Sequence, residues 1–192
     1  MKKSINVYQR EMENFRKLNQ VADANGVVLF GSSFAKDIPV CELKQTFHMD
    51  CSIYNRSLAD LSVFHAEKLL DDCVIGLSPK KVLLQLGETD LEQGHHTIPE
   101  IIHAYEKLIA KLKSADKHCK IVIVSVCENA SGICPDEFNQ ALERMAQRTK
   151  CRYADISPAF SYESPCIQAF RLLKFFMIDR ISFCDAVAFA NA

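Results

Sequence analysis

The sequence predicts an α/β protein in which a parallel sheet of about five strands lies between two layers of helices. Short apolar stretches alternate along the chain with stretches whose apolar residues recur at helical spacing. The clearest apolar stretches, at 27–30, 82–84 and 121–124, contain no polar residue, which is typical of strands covered on both faces. We therefore expect a three-layer α/β/α sandwich.

The spacing of apolar residues and the positions of turn residues predict the helices and strands along the chain. Met12, Phe15 and Leu18 recur at helical spacing before an Asn-Gly stop, and the β-branched run at 120–126 indicates a central strand. The predicted helices cover 5–24, 63–73, 98–112, a segment from Pro135, 166–177 and 185–190, and the predicted strands cover 27–30, 50–54, 81–86, 120–126 and 151–155. We expect loops at 36–49, with a possible short helix, and at 158–165, and a turn at 179–182.

Size and composition narrow the class of protein. A chain of 192 residues suits one domain over 1–192, with the helix of 1–24 packed on or beside it. The formal net charge of −1 favours neither nucleic acid nor an anionic membrane as a partner. No apolar run reaches the roughly 20 residues of a membrane span, and no apolar leader follows Met-Lys-Lys.

The spacing of the cysteines and the known binding motifs indicate which cofactors and which cellular compartment to expect. None of the nine cysteines has C-x-x-C spacing, so neither a zinc site nor a thioredoxin-like motif is expected. Their number and scatter favour a reducing compartment, and we predict a cytoplasmic protein. The sequence contains neither G-x-G-x-x-G nor a Walker-type loop. We expect no metal and no cofactor.

Three polar turns directly follow predicted strands. They are Gly31-Ser32-Ser33, Asn55-Arg56-Ser57 and Gly87-Glu88-Thr89-Asp90. Because parallel strands end at the same edge of a sheet, we expect the three turns to meet in one crevice. A hydroxyl, backbone N–H groups and a side-chain donor are the parts of an acyl-transfer site.

These turns make the sequence similar to the SGNH hydrolases, the GDSL esterase and lipase group, from about residue 27 to the end. Gly31-Ser32-Ser33 resembles the block that carries the nucleophile, and the resemblance implies that Ser33 is the nucleophile and lends its N–H to the oxyanion hole. Asn55-Arg56-Ser57 and Gly87-Glu88-Thr89-Asp90 resemble the other two oxyanion blocks, which implies Ser57 and Thr89 as further donors.

The last block of the family, D-x-x-H, is matched by Asp179-Arg180-Ile181-Ser182, which implies Asp179 as the triad Asp and leaves Ser182 where the His belongs. A serine cannot take the proton of another serine, and losing a triad member lowers the rate by orders of magnitude. His95 or His96, in the loop after the third strand, is a possible substitute base.

Two functions are compatible with this pattern. The resemblance implies a serine ester hydrolase that acts on a small ester or acylated substrate. The missing His favours a pseudo-hydrolase, a small-molecule binding or scaffold protein. Gly31-x-Ser33-x-Ala35 also resembles the nucleophile elbow of the α/β-hydrolases, but that elbow comes after several strands and this one follows the first.

Overall fold

A twisted parallel sheet forms the centre of the structure, a computed structural model that describes residues 3–127 and 134–178. Its strands are β1 (Val27–Gly31), β2 (Ile53–Asn55), β3 (Lys81–Gln85), β4 (Lys120–Val124) and β5 (Arg152–Ala154). They are all parallel and stand in the order β2-β1-β3-β4-β5. The prediction of a five-stranded parallel sheet in an α/β/α sandwich is therefore confirmed.

Helices cover both faces of the sheet. The described residues form α1 (Lys3–Asn19), α2 (Ser33–Asp37), α3 (Val40–Thr46), α4 (Val63–Cys73), α5 (Glu88–Gln93), α6 (Ile98–Ala115), α7 (Asp136–Arg148) and α8 (Pro165–Met177), with 3₁₀ turns at Ile75–Leu77 and Ser157–Ser161. Apolar residues of α1, α4, α6 and α7 form one buried cluster, and those of α2, α3 and α8 form the other. No helix of the described segments is long and apolar enough to cross a bilayer.

Several predicted boundaries are wrong. The first helix ends at Asn19 rather than 24, because Val21 is 82% exposed and has no surface to pack on. The segment 36–49, expected to be a loop with a possible short helix, contains the end of α2 and the short helix α3, which Pro39 separates. The short helix α5 was not expected, and a 3₁₀ turn lies in the predicted loop at 158–165. The predicted turn at 179–182 and helix at 185–190 lie outside the described residues.

Arg56, directly after β2, fastens α1 to the rest of the protein. Its guanidinium lies 5.0 Å from the ring centre of Phe15 and 5.4 Å from that of Tyr54. Its Nη2 also donates to Asn19 Oδ1 at 3.2 Å. Because the residue is only 6% exposed, desolvation lowers the pKa of the guanidinium from its ordinary value. Aromatic faces and one amide oxygen therefore hold a nearly buried cation between α1 and the sheet.

Two further contacts show that α1 runs parallel to α4. Near its beginning, the Tyr8 hydroxyl donates to the Asp60 carbonyl at 3.0 Å, just before α4. Near its end, Arg16 forms an ion pair of 2.7 Å with Asp72, at the end of α4. The first turns of α1 therefore lie towards the edge of the sheet where the strands end.

Candidate functional site

The crevice lies at the carboxyl edge of β1 and β3. The chain passes from β1 to β2 on one side and returns to β3 on the other, so the order of the strands reverses at this point. Such switch points are where open α/β sheets bind ligands. The segment after β1 leads to α2 on one face of the sheet, and the segment after β3 leads to α6 on the other. Hydrogen bonds between Ser32 and Thr89 and between Phe34 and Glu88 join the beginnings of these two segments, which then lead to opposite faces.

Gly31 brings the two strands' ends together. It pairs with Gln85 in the register of β1 and β3. A Cβ at this position would overlap the Gln85 carbonyl oxygen and lie 2.6 Å from the Cβ of Ala35. Glycine is therefore needed because the end of β1 lies against both the end of β3 and the first turn of α2.

A buried hydroxyl network ties the turns after β1 and β3 to each other and to the loop that precedes α4. The Ser32 and Thr89 hydroxyls lie 2.8 Å apart, and Ser32 Oγ also accepts the N–H of Leu61 at 3.1 Å. Ser32 is fully buried and Thr89 is 3% exposed. Thr89 therefore directs its hydroxyl to Ser32 and not to Ser33.

Ser33 is the first residue of α2 and is half-buried at the crevice. Its hydroxyl donates to Asp60 Oδ1 at 3.2 Å and accepts the Asp60 N–H at 3.0 Å. Asp60 comes from the loop between β2 and α4 and has a positive φ of 54°. The Ser33 hydroxyl is thus paired with a carboxylate and a backbone N–H, and both come from one residue.

Ser57 lies close to the same edge, but its donor is already engaged. Its N–H donates to Asn55 Oδ1 at 3.0 Å, and its hydroxyl faces the Leu29 carbonyl at 3.5 Å. Asn55 Nδ2 in turn donates to the Ala35 carbonyl at 2.8 Å. Asn55 therefore connects the Asn-Arg-Ser turn to α2, and the Ser57 N–H points at this link.

Glu88 brings a carboxylate to the beginning of α2. Its Oε1 accepts the N–H of Phe34 at 3.0 Å, and its Oε2 accepts from Gln85 Nε2 at 3.2 Å. Gln85, at the end of β3, is only 1% exposed, and its Oε1 has no hydrogen-bond partner among the described residues. A negative charge therefore lies next to the residue that follows Ser33.

The imidazoles lie away from Ser33. All six histidines fall in the described part of the chain, and none makes a hydrogen bond with the Ser33 hydroxyl. His95 and His96 are exposed after α5, and the His96 ring stacks at 4.1 Å on Phe64 of α4. The only serine and histidine side chains bonded to each other in residues 3–127 and 134–178 are Ser62 and His65, at the beginning of α4. The Ser62 hydroxyl there accepts the His65 N–H as a helix cap.

Asp179 and Ser182 lie outside the described residues, so their roles stay predictions. Before them, α8 ends against Lys81, whose buried Nζ donates to the Met177 carbonyl at 2.9 Å and to the Ile178 carbonyl at 3.4 Å. Lys81 begins β3, so these contacts lie at the edge of the sheet opposite Ser33. The segment that leaves the carboxyl edge after β5, residues 155–164, contains no histidine.

That segment supplies a second carboxylate and an aromatic wall. Asp155 Oδ1 accepts from the hydroxyls of Ser125 at 3.2 Å and Ser157 at 2.6 Å. The Phe160 ring lies 4.9 Å from the ring of Phe34 on α2. Burial, with smaller contributions from the charges of Glu88 and Asp155, raises the pKa of the Cys127 thiol. The carboxylates of Glu88 and Asp155 therefore both lie close enough to Cys127 to disfavour its thiolate.

Asp90 is buried next to the hydroxyl network, and its pKa makes the stability of the protein depend on pH. Its Oδ2 accepts the Val63 N–H at 2.9 Å at the beginning of α4, and burial raises its pKa above the ordinary 3.8. The folded state therefore binds the Asp90 proton more tightly than the unfolded state does, and the stabilisation by this proton is lost as the pH rises through the folded pKa.

We expect the free energy of unfolding of the wild type, measured relative to Asp90→Asn, to fall as the pH rises from about 4 to about 7. Urea unfolding of both proteins across this range measures the difference, and other titrating groups cancel in it. A difference that does not change with pH would contradict the raised pKa.

The sequence did not reveal several residues of this edge. The roles of Ser32, Asp60, Glu88 and Gln85 depend on which loop faces which, and no spacing indicates that. The hydrogen bond of the Ser57 N–H could have been predicted, because an Asn side chain commonly accepts from the backbone N–H two residues later. No three His, Cys, Asp or Glu side chains of the described residues are grouped to hold a metal ion.

Solved structures of a GDSL-like lipase and an acylhydrolase share the fold of this chain, which has a serine after β1 and polar turns after β2 and β3. No protein-family model matches the chain, and no curated protein matches its sequence. The similarity to solved structures is therefore one of fold.

Three of these structures illustrate the similarity. A protein from Streptococcus pneumonia whose description names platelet activating factor has a TM-score of 0.78 and 16% identity, over 91% of this chain and 94% of that one. A GDSL-like lipase from Bacteroides thetaiotaomicron has a TM-score of 0.69 and 14% identity, over 86% and 96%. An acetylxylan esterase from Geobacillus stearothermophilus has a TM-score of 0.57 and 15% identity, over 72% and 79%. Catalytic mutants of this esterase replace a His or a Ser by Ala.

Proposed function

We propose that this chain is a non-hydrolytic protein with the SGNH hydrolase fold, which binds a small molecule in the crevice and does not cleave it. The observation that carries the proposal is the partner of the Ser33 hydroxyl. That partner is Asp60, and no imidazole is in reach to take the proton. A serine hydroxyl without a base is a weak nucleophile at neutral pH.

The oxyanion donors support the same conclusion. The Ser57 N–H is engaged by Asn55 and the Thr89 hydroxyl by Ser32. The Glu88 carboxylate, bonded to the Phe34 N–H, would repel a negative charge forming beside Ser33. Because the base and two of the three expected oxyanion donors are lost, we expect ester hydrolysis to retain only a weak acceleration.

We expect a fluorophosphonate probe to leave Ser33 unlabelled, and Ser33→Ala to hydrolyse a short-chain aryl ester at the wild-type rate. Mass spectrometry of the intact protein measures the labelling, and release of the aryl alcohol measures the turnover. Ser157→Ala is the matched control, since Ser157 lies at the same edge and bonds Asp155. Stoichiometric labelling that Ser33→Ala abolishes and Ser157→Ala preserves would contradict the proposal.

The second candidate is a serine ester hydrolase, and the observation that favours it is the position of Ser33. This residue begins α2 at the carboxyl edge and is partly accessible. Ser33-dependent labelling and turnover would select this candidate. In either case we propose a small-molecule partner. The eight described cysteines are all free thiols, which supports a reducing compartment such as the cytoplasm.

A further inference from the structure

Gln85 carries an acceptor that nothing in the described structure satisfies. The side chains of β3 alternate between the two faces, which puts Gln85 on the same face as Leu83, under α2 and the Ser157–Ser161 turn. Its amide nitrogen donates to Glu88 at 3.2 Å, so the amide lies against that carboxylate. Its Oε1 is buried and unpartnered. Buried carbonyl oxygens are nearly always bonded, so this one points to a donor that lies outside the described residues, and a bound ligand can supply it.

The charges around this acceptor are negative. Among the described residues, Glu88 bonds only uncharged donors, the Phe34 N–H and the Gln85 amide, and Asp155 bonds only the donors of two serines. Within residues 3–127 and 134–178, neither carboxylate forms an ion pair with Lys or Arg. Each keeps acceptor capacity, since a carboxylate has about four lone-pair sites. An anionic ligand would be repelled here, and a cationic one attracted.

The wall of the crevice also suits a cation that carries carbon. The Phe34 and Phe160 rings, at 4.9 Å, are partly exposed beside Glu88. Aromatic faces attract cations and cover apolar chains. A bare metal ion fits less well, because the described His, Cys, Asp and Glu side chains do not gather in threes.

We propose that the crevice binds a ligand that carries a primary ammonium group on a short apolar chain. The ammonium has three N–H donors, and they meet Glu88, Asp155 and the Gln85 carbonyl oxygen. The carbon chain lies against Phe34 and Phe160. The inference rests on the proposed function in treating Ser33 as a neighbour of the ligand and not as its nucleophile.

Four probes built on a four-carbon chain separate charge from hydrogen bonding. They are n-butylammonium, n-butanol, butyrate and butyltrimethylammonium, titrated into the full chain at neutral pH and followed by the amide NMR shifts of Phe34 and Glu88. We expect n-butylammonium to saturate with a Kd of about 1 mM. The alcohol and butyrate should bind at least roughly tenfold more weakly. The trimethyl probe should also be weaker, because it has no N–H donor for Gln85.

Glu88→Gln is the decisive variant, and Glu137→Gln, an exposed carboxylate of α7, is its control. We expect Glu88→Gln to weaken n-butylammonium binding about tenfold and Glu137→Gln to leave it unchanged. Circular dichroism confirms that both variants are folded. Asp155→Asn should weaken binding in the same direction.

Some outcomes overturn the inference. They are no saturation by n-butylammonium below about 10 mM, equal binding of butanol or butyrate, or an unchanged Kd in Glu88→Gln. In the first case an ordered water satisfies Gln85. The fluorophosphonate assay keeps the two proposals apart. Labelling of Ser33 together with ammonium binding would overturn the proposed function and keep the ligand class. If Ser33 is not labelled and the ammonium does not bind, the proposed function stands and the ligand class is overturned.

Discussion

Gly31→Ala is expected to lower the free energy of unfolding by about 3 kcal/mol, the upper part of the range for overpacking a dense core. The new methyl group would overlap the Gln85 carbonyl oxygen and press on the Cβ of Ala35. Neither atom can move away by a rotamer change, since one is backbone and the other is the first side-chain carbon. The end of β1 and the beginning of α2 must separate from β3, which also displaces Ser33. Urea unfolding measures the loss, and the melting temperature should fall by roughly 6–12 °C.

Gly94→Ala is the control for this prediction. Gly94 has a φ of +61°, and a Cβ there would meet no atom within 4 Å. The variant therefore reports only the strain of the left-handed conformation, about 1 kcal/mol. If Gly31→Ala costs no more than Gly94→Ala, the close packing of Gly31 against Gln85 and Ala35 is incorrect.

Arg56→Ala is expected to destabilise the protein by about 3 kcal/mol, as for other breaks in buried polar contacts. The change empties the space between Phe15 and Tyr54 and leaves Asn19 Oδ1 without its donor. Because these contacts attach α1, its amides should exchange with solvent faster than those of α6. Urea unfolding and hydrogen exchange measure the two effects.

The matched control is Arg16→Ala, which removes the ion pair with Asp72 on the exposed side of α1. Exposed ion pairs are weak because water and salt screen them. We expect a much smaller loss of stability and protected α1 amides. Equal effects of the two variants would mean that Arg56 contributes charge alone and that its contacts with Phe15 and Tyr54 add nothing.

The architecture could be predicted because burial leaves a direct pattern in the sequence. Residues 27–30 and 121–124 are apolar throughout, since each strand is covered on both faces. The stripe from Ile101 to Leu112 is apolar where α6 meets the sheet. Helix α5 left no such pattern, because six residues between two glycines of positive φ make fewer than two turns.

The site could be predicted only in part. The gathering of the three turns follows from parallel strands, and Ser32, Ser33 and Thr89 are indeed at one edge. The hydrogen-bond partners of these hydroxyls could not be predicted from the sequence, because they depend on the paths of loops whose sequences have no periodic pattern. Ser33 pairs with Asp60, and the Phe34 N–H with Glu88, across 27 and 54 residues of chain. The sequence blocks of the SGNH hydrolases locate single residues and do not indicate which of them form hydrogen bonds with each other.

The divergence of the loops after β1 and β3 has a consequence for how this protein can change. Beyond the hydrogen bonds that join their beginnings, the two loops lead to opposite faces of the sheet, so the outer part of either one tolerates an insertion or a deletion without colliding with the other. Relatives of this chain can therefore widen or narrow the cleft for bulkier or slimmer compounds while the strands beneath keep their registration. Variation in recognition should accordingly concentrate in loop length, and we expect the sheet to be its most constant part.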